Sequence, residues 1–249
     1  MNSAAGNDPE RIAIADGTRT FTYRSMYREW ERYASVFAAL GMTGVNRSRV
    51  GILGSTGAEA VFSIYGLNRV GATVSLIPAY SALTPSRVFQ TIRDENLTDV
   101  IVTDDFAQPG FIQPLLLRKK ILDLHNIIVL HLPVTGVTVD PMMSAAQEAK
   151  YFLLKSWYGL LRMDELLVTY GNRTIDQATK PSDDMAFILH TSGTMSGAGK
   201  PVVLSDEAFN AAAAGFHTME ELKLPWGDLV TAAIVDMSNA YSMIDQIHS

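Results

Sequence analysis

The sequence predicts an α/β fold in which parallel sheets are covered by helices. Short apolar runs bounded by polar residues or glycine alternate with segments whose apolar residues recur every three or four positions. Strands and helices that alternate in this way form parallel sheets, because each helix carries the chain back across the sheet. At 249 residues and 47% hydrophobic content, the chain is also long enough to bury such a core.

The first predicted unit covers residues 1–180. A hairpin turns at Asp16-Gly17, and Thr22 then caps a helix that runs from Tyr23 to Leu40. The other predicted elements of this unit are strands over 49–53, 73–78 and 99–104, a strand between His125 and His131, and helices over 58–70, 84–96 (capped by Thr84) and 142–165.

A second, shorter unit is predicted over residues 181–249. The run Pro181-Ser182-Asp183-Asp184 marks the boundary, because Pro, Ser and Asp favour turns. We expect the strands of this unit to begin a second, incomplete sheet. Its predicted elements are strands over 185–189, 201–204 and 229–235, and a helix over 205–222 that Ser205 caps.

The first two strands of this unit are joined by a loop rich in Ser, Thr and Gly that ends in Lys200. Glycines with positive φ can turn backbone N–H groups inward to form an anion-binding nest, and hydroxyls and a lysine add further donors. The composition predicts a phosphate-binding loop, and an ordinary solvated turn is the alternative. The candidate residues are Thr191, Ser192, Gly193, Thr194, Ser196, Gly197, Gly199 and Lys200.

Two other nucleotide-binding patterns fit less well. A P-loop requires G-x-x-x-x-G-K-[ST], but Gly193 and Gly199 are one residue too far apart and Pro201 replaces the hydroxyl residue. The segment 51–57 reads G-x-x-G-x-x-G instead of the dinucleotide-binding G-x-G-x-x-G. Because no acidic residue follows between Glu59 and Asp94 to bind a ribose, a NAD-dependent oxidoreductase is the least favoured hypothesis.

T-S-G-T at 191–194, followed by glycine, a lysine, a strand and a Ser-capped helix, resembles the signature loop of the adenylate-forming superfamily. That superfamily comprises acyl- and aryl-CoA synthetases, nonribosomal-peptide adenylation domains and luciferases. The F-T-Y opening, the V-G-I-L strand and the I-P-A-Y-S-A-L-T-P-S crossover resemble its N-terminal portion. The loop departs from the usual T-S-G-T-T-G-x-P-K-G-V, because Met195-Ser196 replaces one Thr and Gly199-Lys200-Pro201 replaces P-K-G.

The resemblance implies the N-terminal part of an ATP-dependent acid–CoA ligase or related adenylating enzyme. Such an enzyme uses ATP with Mg²⁺, a carboxylic acid, and the thiol of CoA or an acyl carrier protein. It also implies that the catalytic Lys lies beyond Ser249, so that the chain alone is expected to be inactive and to contact a missing half or self-associate. A non-catalytic nucleotide-binding or scaffolding homologue is the alternative. The acyl-pocket position falls on Met237, Ser238 and Asn239.

Composition excludes several other classes of function. The net charge of −6 gives no general attraction for nucleic acid, and no uncharged apolar run reaches the ~18 residues of a membrane span. The five histidines have no metal-ligand spacing, and the chain contains no cysteine. The N-terminus lacks the features of a signal peptide, so we expect a cytoplasmic protein.

Overall fold

The computed structural model describes residues 8–17, 19–78, 84–103, 107, 109–130, 149, 152–175, 185–191, 199–221, 238 and 243–244. They begin with an antiparallel hairpin of β1 (Ile12–Asp16) and β2 (Arg19–Thr22), which turns at Gly17 with φ 61°. The Thr22 side chain accepts a hydrogen bond from the Ser25 amide and so caps α1 (Tyr23–Ala39). The predicted hairpin and cap are therefore confirmed.

The other strands form one seven-stranded sheet. They are β3 (Arg49–Leu53), β4 (Thr73–Ile77), β5 (Asp99–Thr103), β6 (Asn126–Leu130), β7 (Leu161–Arg162), β8 (Met185–His190) and β9 (Pro201–Ser205). Their order across the sheet is β7-β6-β5-β3-β4-β8-β9, and every neighbouring pair is parallel except β8 with β9. The carboxyl ends of β3, β4, β5 and β8 therefore meet at one edge of the sheet.

Helices cover both faces of this sheet. They are α1 together with α2 (Ala58–Arg69), α3 (Pro85–Asp94), α4 (Pro109–Leu117), α5 (Met163–Tyr170) and α6 (Asp206–Glu221). Successive residues of a strand point to opposite faces, and accordingly Ile52 and Leu53 belong to two different hydrophobic clusters. The first cluster contains side chains of α1, α2, α5 and α6, and the second contains side chains of α3 and α4. The α/β fold with helices on a mostly parallel sheet is confirmed.

The structure corrects three details of the sequence prediction. The strands β8 and β9 do not begin a second sheet, because Val74 and Ser75 of β4 pair directly with Phe187 and Ile188 of β8. Thr84 precedes α3 but makes no side-chain capping hydrogen bond. The predicted helix over 142–165 is interrupted by Gly159 with φ 66° and by β7.

Parts of the prediction lie outside the described residues. These are the boundary at 181–184, the strand over 229–235, and most of the helix over 142–165 before residue 152. The division of the chain into 1–180 and 181–249 stays a prediction. Among the residues that the structure does describe, no helix combines the length and the apolar character needed to cross a membrane.

Candidate phosphate-binding site

The loop between β8 and β9 is closed at its base by two hydrogen bonds. The Thr191 amide donates to the Lys200 carbonyl oxygen at 3.0 Å, and the Lys200 amide donates to Thr191 Oγ1 at 2.9 Å. These bonds extend the β8–β9 ladder by one step beyond His190 and Pro201. Pro201 fits the first position of β9 because it has no N–H to contribute to the ladder. Both ends of the loop are therefore anchored to the sheet.

Residue 199, at the base of the loop, must be glycine because there is no room for a side chain. A Cβ atom at residue 199 would lie 2.3 Å from the carbonyl oxygen of Thr191 and 3.2 Å from Cβ of His190. The prediction that the loop glycines adopt positive φ is wrong for Gly199, which is not among the described residues with positive φ. Its role is to let the two strands of the loop approach each other closely.

The structure describes only part of the predicted phosphate-binding set. Thr191 and Lys200 are exposed and Gly199 is half-buried, so the two side chains are accessible to a ligand. Thr191 Oγ1 accepts from the Lys200 amide, which leaves the hydroxyl hydrogen for another acceptor. Ser238, from the predicted acyl pocket, is buried. The predicted residues outside the described part are Ser192, Gly193, Thr194, Ser196, Gly197, Met237 and Asn239.

His190 is held from both ring nitrogens at the end of β8. Nδ1 lies 2.9 Å from the carbonyl oxygen of Leu76, and Nε2 lies 2.6 Å from Oε1 of Glu95. Ser75 Oγ donates to the other carboxylate oxygen of Glu95 at 2.5 Å. From the sequence alone, His190 at the end of this strand fits a ligand contact and a structural role equally well, and Glu95 carries no signal of a site. No local signal could have paired them, since they are 95 residues apart.

The loop emerges at the edge of the sheet where α/β proteins bind ligands, outside the carboxyl ends of parallel strands. The glycine turn after β3 lies at the same edge, with Gly54 at φ 149° and with the Ser55 amide donating to Thr103 Oγ1 at 3.1 Å. A side chain at residue 54 would collide with Thr103. Here too, glycine is required for close packing.

The glycine turn is structural, and it does not form a pyrophosphate site. The first amide of α2, that of Ala58, donates to Oδ2 of Asp16 at 3.1 Å. Arg19 forms ion pairs with both Asp16 and Glu59 beside it. A protein carboxylate thus occupies the helix N-terminus where a dinucleotide phosphate would bind. This geometry agrees with the poor match of residues 51–57 to the dinucleotide-binding pattern.

The acidic and histidine side chains of the site do not assemble into a metal centre. Across the described ranges, no group of three or more His, Asp or Glu could hold a metal ion. Glu95 and His190 are instead bonded to each other, to Ser75 and to the backbone. The described groups that remain available to a ligand are the hydroxyl hydrogen of Thr191 and the exposed side chain of Lys200.

Comparison with known proteins identifies the family. The family model described as AMP-binding enzyme matches residues 1–248. Acetyl-coenzyme A synthetase of Gemmatimonas aurantiaca is 27% identical over 188 residues, which are 74% of this chain and 26% of that protein. The chain therefore spans about a quarter of the length of this curated relative.

Solved structures show the same fold. ATP-bound MatB of Rhodopseudomonas palustris superposes with a TM-score of 0.70 at 18% identity, over 97% of this chain and 40% of that one. The anthranilate CoA ligase AuaEII, solved with anthranoyl-AMP, superposes with a TM-score of 0.60 at 20% identity, over 84% and 35% of the two chains. By the family match over almost all of its residues, this chain belongs to the AMP-binding enzyme family.

Proposed function

We propose that the chain is the N-terminal part of an ATP-dependent acid–thiol ligase. In the first step a carboxylate oxygen attacks the α-phosphorus of ATP, and the bond to pyrophosphate breaks, which gives an acyl-adenylate. In the second step the sulfur of CoA or of a carrier-protein thiol attacks the acyl carbon. AMP leaves, and the thiol proton passes to solvent. The family match supports this reaction type, and the relative's name, acetyl-coenzyme A synthetase, is in keeping with it.

The observation that carries the proposal is the anchored loop at the carboxyl edge of the sheet. Its base is fixed by the Thr191–Lys200 hydrogen bonds, and Lys200 is exposed beside it. In the proposal, the amides and hydroxyls of residues 191–197, with Gly199 and Lys200, hold the ATP phosphates. Donors that are fixed in advance stabilise the charge that moves onto pyrophosphate, because they need no reorganisation during the reaction.

The proposal also covers the metal ion, the acyl pocket, the catalytic Lys and the cellular compartment. Mg²⁺ would arrive with ATP, because the described residues supply no cluster of metal ligands. Met237, Ser238 and Asn239 are proposed for the acyl pocket. The catalytic Lys is assigned to no residue of this chain. The proposal places the protein in the cytoplasm, in keeping with a sequence that contains no cysteine.

Nucleotide binding tests the loop without requiring the acid to be known. Calorimetry with Mg-ATP should show weaker binding for Lys200→Ala, because a charge-assisted hydrogen bond contributes about 1.5–3 kcal/mol, or roughly ten- to a hundredfold in affinity. Lys120→Ala is the matched control, since Lys120 is exposed in the turn after α4. Equal affinities for Lys200→Ala and the wild type would remove Lys200 from the site.

Exchange of pyrophosphate into ATP tests the reaction itself. With a panel of carboxylic acids, we expect no exchange by the 249 residues alone, because adenylation needs all of its groups positioned together. The full reading frame of the gene should exchange pyrophosphate with at least one acid. Binding of ATP without exchange by that full product would favour the alternative, a non-catalytic nucleotide-binding or scaffolding homologue.

The outer strand of the sheet indicates where a further partner would bind. β9 is the last strand in the described order, and Val202 and Val203 are 43% and 52% exposed. An open strand edge with apolar side chains favours pairing with another chain or segment. We therefore propose that this edge contacts either a further part of the protein or a second copy, and light scattering of the 249-residue chain distinguishes a monomer from a self-associated form.

A further inference from the structure

Glu95 and His190 form a buried pair next to Thr191, the first residue after β8. Both side chains are only 5% exposed, and Nε2 of His190 lies 2.6 Å from Oε1 of Glu95. We propose that this pair positions the phosphate loop by fixing the end of β8. The inference rests on the phosphate-binding role proposed above, and it assigns to both residues a part that neither the loop motif nor the family match provides.

The hydrogen-bond partners determine what the pair can do. Nδ1 of His190 faces the carbonyl oxygen of Leu76, which can only accept, so Nδ1 carries a proton. Nε2 and Oε1 lie at hydrogen-bond distance, so Nε2 is engaged by Glu95. Since both ring nitrogens are engaged within the protein, His190 has no donor left for a phosphate. His190 therefore affects the loop only by holding the end of β8 in place.

The backbone transmits that position to the base of the loop. The Cα partners of β4 and β8 are Val74 with Phe187 and Ser75 with Ile188. His190 lies two residues further along β8, and its bond to the Leu76 carbonyl holds the end of the strand against β4. The next residue, Thr191, makes the two bonds to Lys200 that close the loop. A displaced imidazole would therefore move the loop base with it.

A hydrogen-bonded pair at the end of β8 constrains the position of that strand end more closely than apolar packing does. Hydrogen bonds constrain both distance and angle, whereas burial of apolar surface is largely non-directional. Replacing both partners of a buried ion pair with apolar residues is often neutral or stabilising, whereas removing one partner is strongly destabilising, so each single variant is compared with a control of similar burial. The Ser75–Glu95–His190–Leu76 chain selects one position for the end of β8 on the neighbouring strand.

Four variants separate positioning from general stability. Glu95→Leu and His190→Phe remove the bond between the two side chains. Glu95→Gln can keep the network, because its amide group donates to Nε2 of a neutral imidazole while its oxygen accepts from Ser75. Asp99→Leu is the matched control, since Asp99 is also a buried carboxylate bonded to two side chains but lies at the amino end of β5, away from the loop.

Two measurements on the 249-residue chain test the proposal. Calorimetry gives the Kd for inorganic tripolyphosphate, and hydrogen exchange reports the protection of the Thr191 and Lys200 amides. We expect Glu95→Leu and His190→Phe to raise the Kd at least tenfold and to lose protection at both amides. Glu95→Gln should stay within threefold of the wild type. Asp99→Leu should leave the Kd unchanged even if it lowers the unfolding midpoint.

The outcomes distinguish this proposal from the proposed function. Wild-type affinity and protection in Glu95→Leu, with weaker binding in Lys200→Ala, would refute positioning and leave the phosphate site in place. No binding by the wild type would refute the phosphate site, and loss of amide protection in Glu95→Leu would then still support the structural link. If Glu95→Leu does not fold, His190→Asn replaces it, because Asn keeps a donor for Leu76 and lacks the reach to Glu95; an unchanged Kd in that variant would refute positioning.

Discussion

Replacing Phe209 with Ala tests whether β8 and α6 fold together with the N-terminal part of the sheet. Phe209 is 2% exposed, and its ring stacks on Phe187 with centroids 4.2 Å apart and planes at 23°. Truncation of a buried Phe costs about 3–5 kcal/mol in lost transfer free energy and cavity formation. The aromatic stack favours the upper part of that range. Since the free energy of unfolding of a protein is about 5–15 kcal/mol, this loss is a large fraction of the total stability.

Urea unfolding followed at a single tryptophan measures this coupling. Trp30 packs between α1 and α2, with its ring 5.2 Å from that of Tyr65, and so reports on the helices of the N-terminal part. The background carries Trp157→Phe and Trp226→Phe, which leave Trp30 as the sole tryptophan. Because β8 pairs with β4, we expect Phe209→Ala to lower the unfolding midpoint reported by Trp30 without changing the slope.

An exposed phenylalanine provides the control for Phe209→Ala. Phe152 is 68% exposed, so Phe152→Ala should change the free energy of unfolding by about 0.5 kcal/mol or less. An unchanged Trp30 midpoint in Phe209→Ala, with a separate earlier transition in circular dichroism, would refute cooperative folding across β4 and β8. That result would support the division into 1–180 and 181–249 that the sequence predicts.

Gly199→Ala should weaken Mg-ATP binding at least tenfold, because its Cβ would lie 2.3 Å from a backbone oxygen, whereas Gly215→Ala has open space and should not. Burial raises the pKa of both Tyr33 and Tyr65, so their contribution to the free energy of unfolding should be constant below their ordinary pKa of about 10 and fall as the pH rises above it. Limited proteolysis should cut within 172–184 or 192–200 before it cuts α1 or α2.

Each of these predictions has a result that contradicts it. Wild-type ATP affinity in Gly199→Ala would show that the loop base tolerates displacement. Ionisation of all tyrosines near their ordinary pKa, in an absorbance titration of the folded chain, would show that Tyr33 and Tyr65 are accessible to solvent. First cleavage sites inside α1 or α2, identified by mass spectrometry, would contradict the proposed organisation of the chain.

The sequence by itself determined most of the local structure and the family. The apolar spacing in α1 and the short apolar run of β3 are local patterns, and local propensity and burial act on them in the same direction. The family could be recognised for the same reason, because the T-S-G-T segment at 191–194 is a pattern of consecutive residues. α4 was not predicted, and its Pro109 and Pro114 are residues that ordinarily disfavour a helix. Pro109 occupies the first helical position, where its missing N–H is tolerated.

Only the tertiary structure decided how these pieces are combined. Strand neighbours depend on contacts distant in sequence, so nothing local indicates that β8 pairs with β4 and extends the first sheet. The bond between Glu95 and His190 is of the same kind, since each residue alone looks like an ordinary polar residue at the end of an element. The space requirement at Gly199 likewise appears only when Thr191 is placed opposite it. These features depend on contacts between residues that are far apart in the sequence, and a local pattern of residue types does not reveal such contacts.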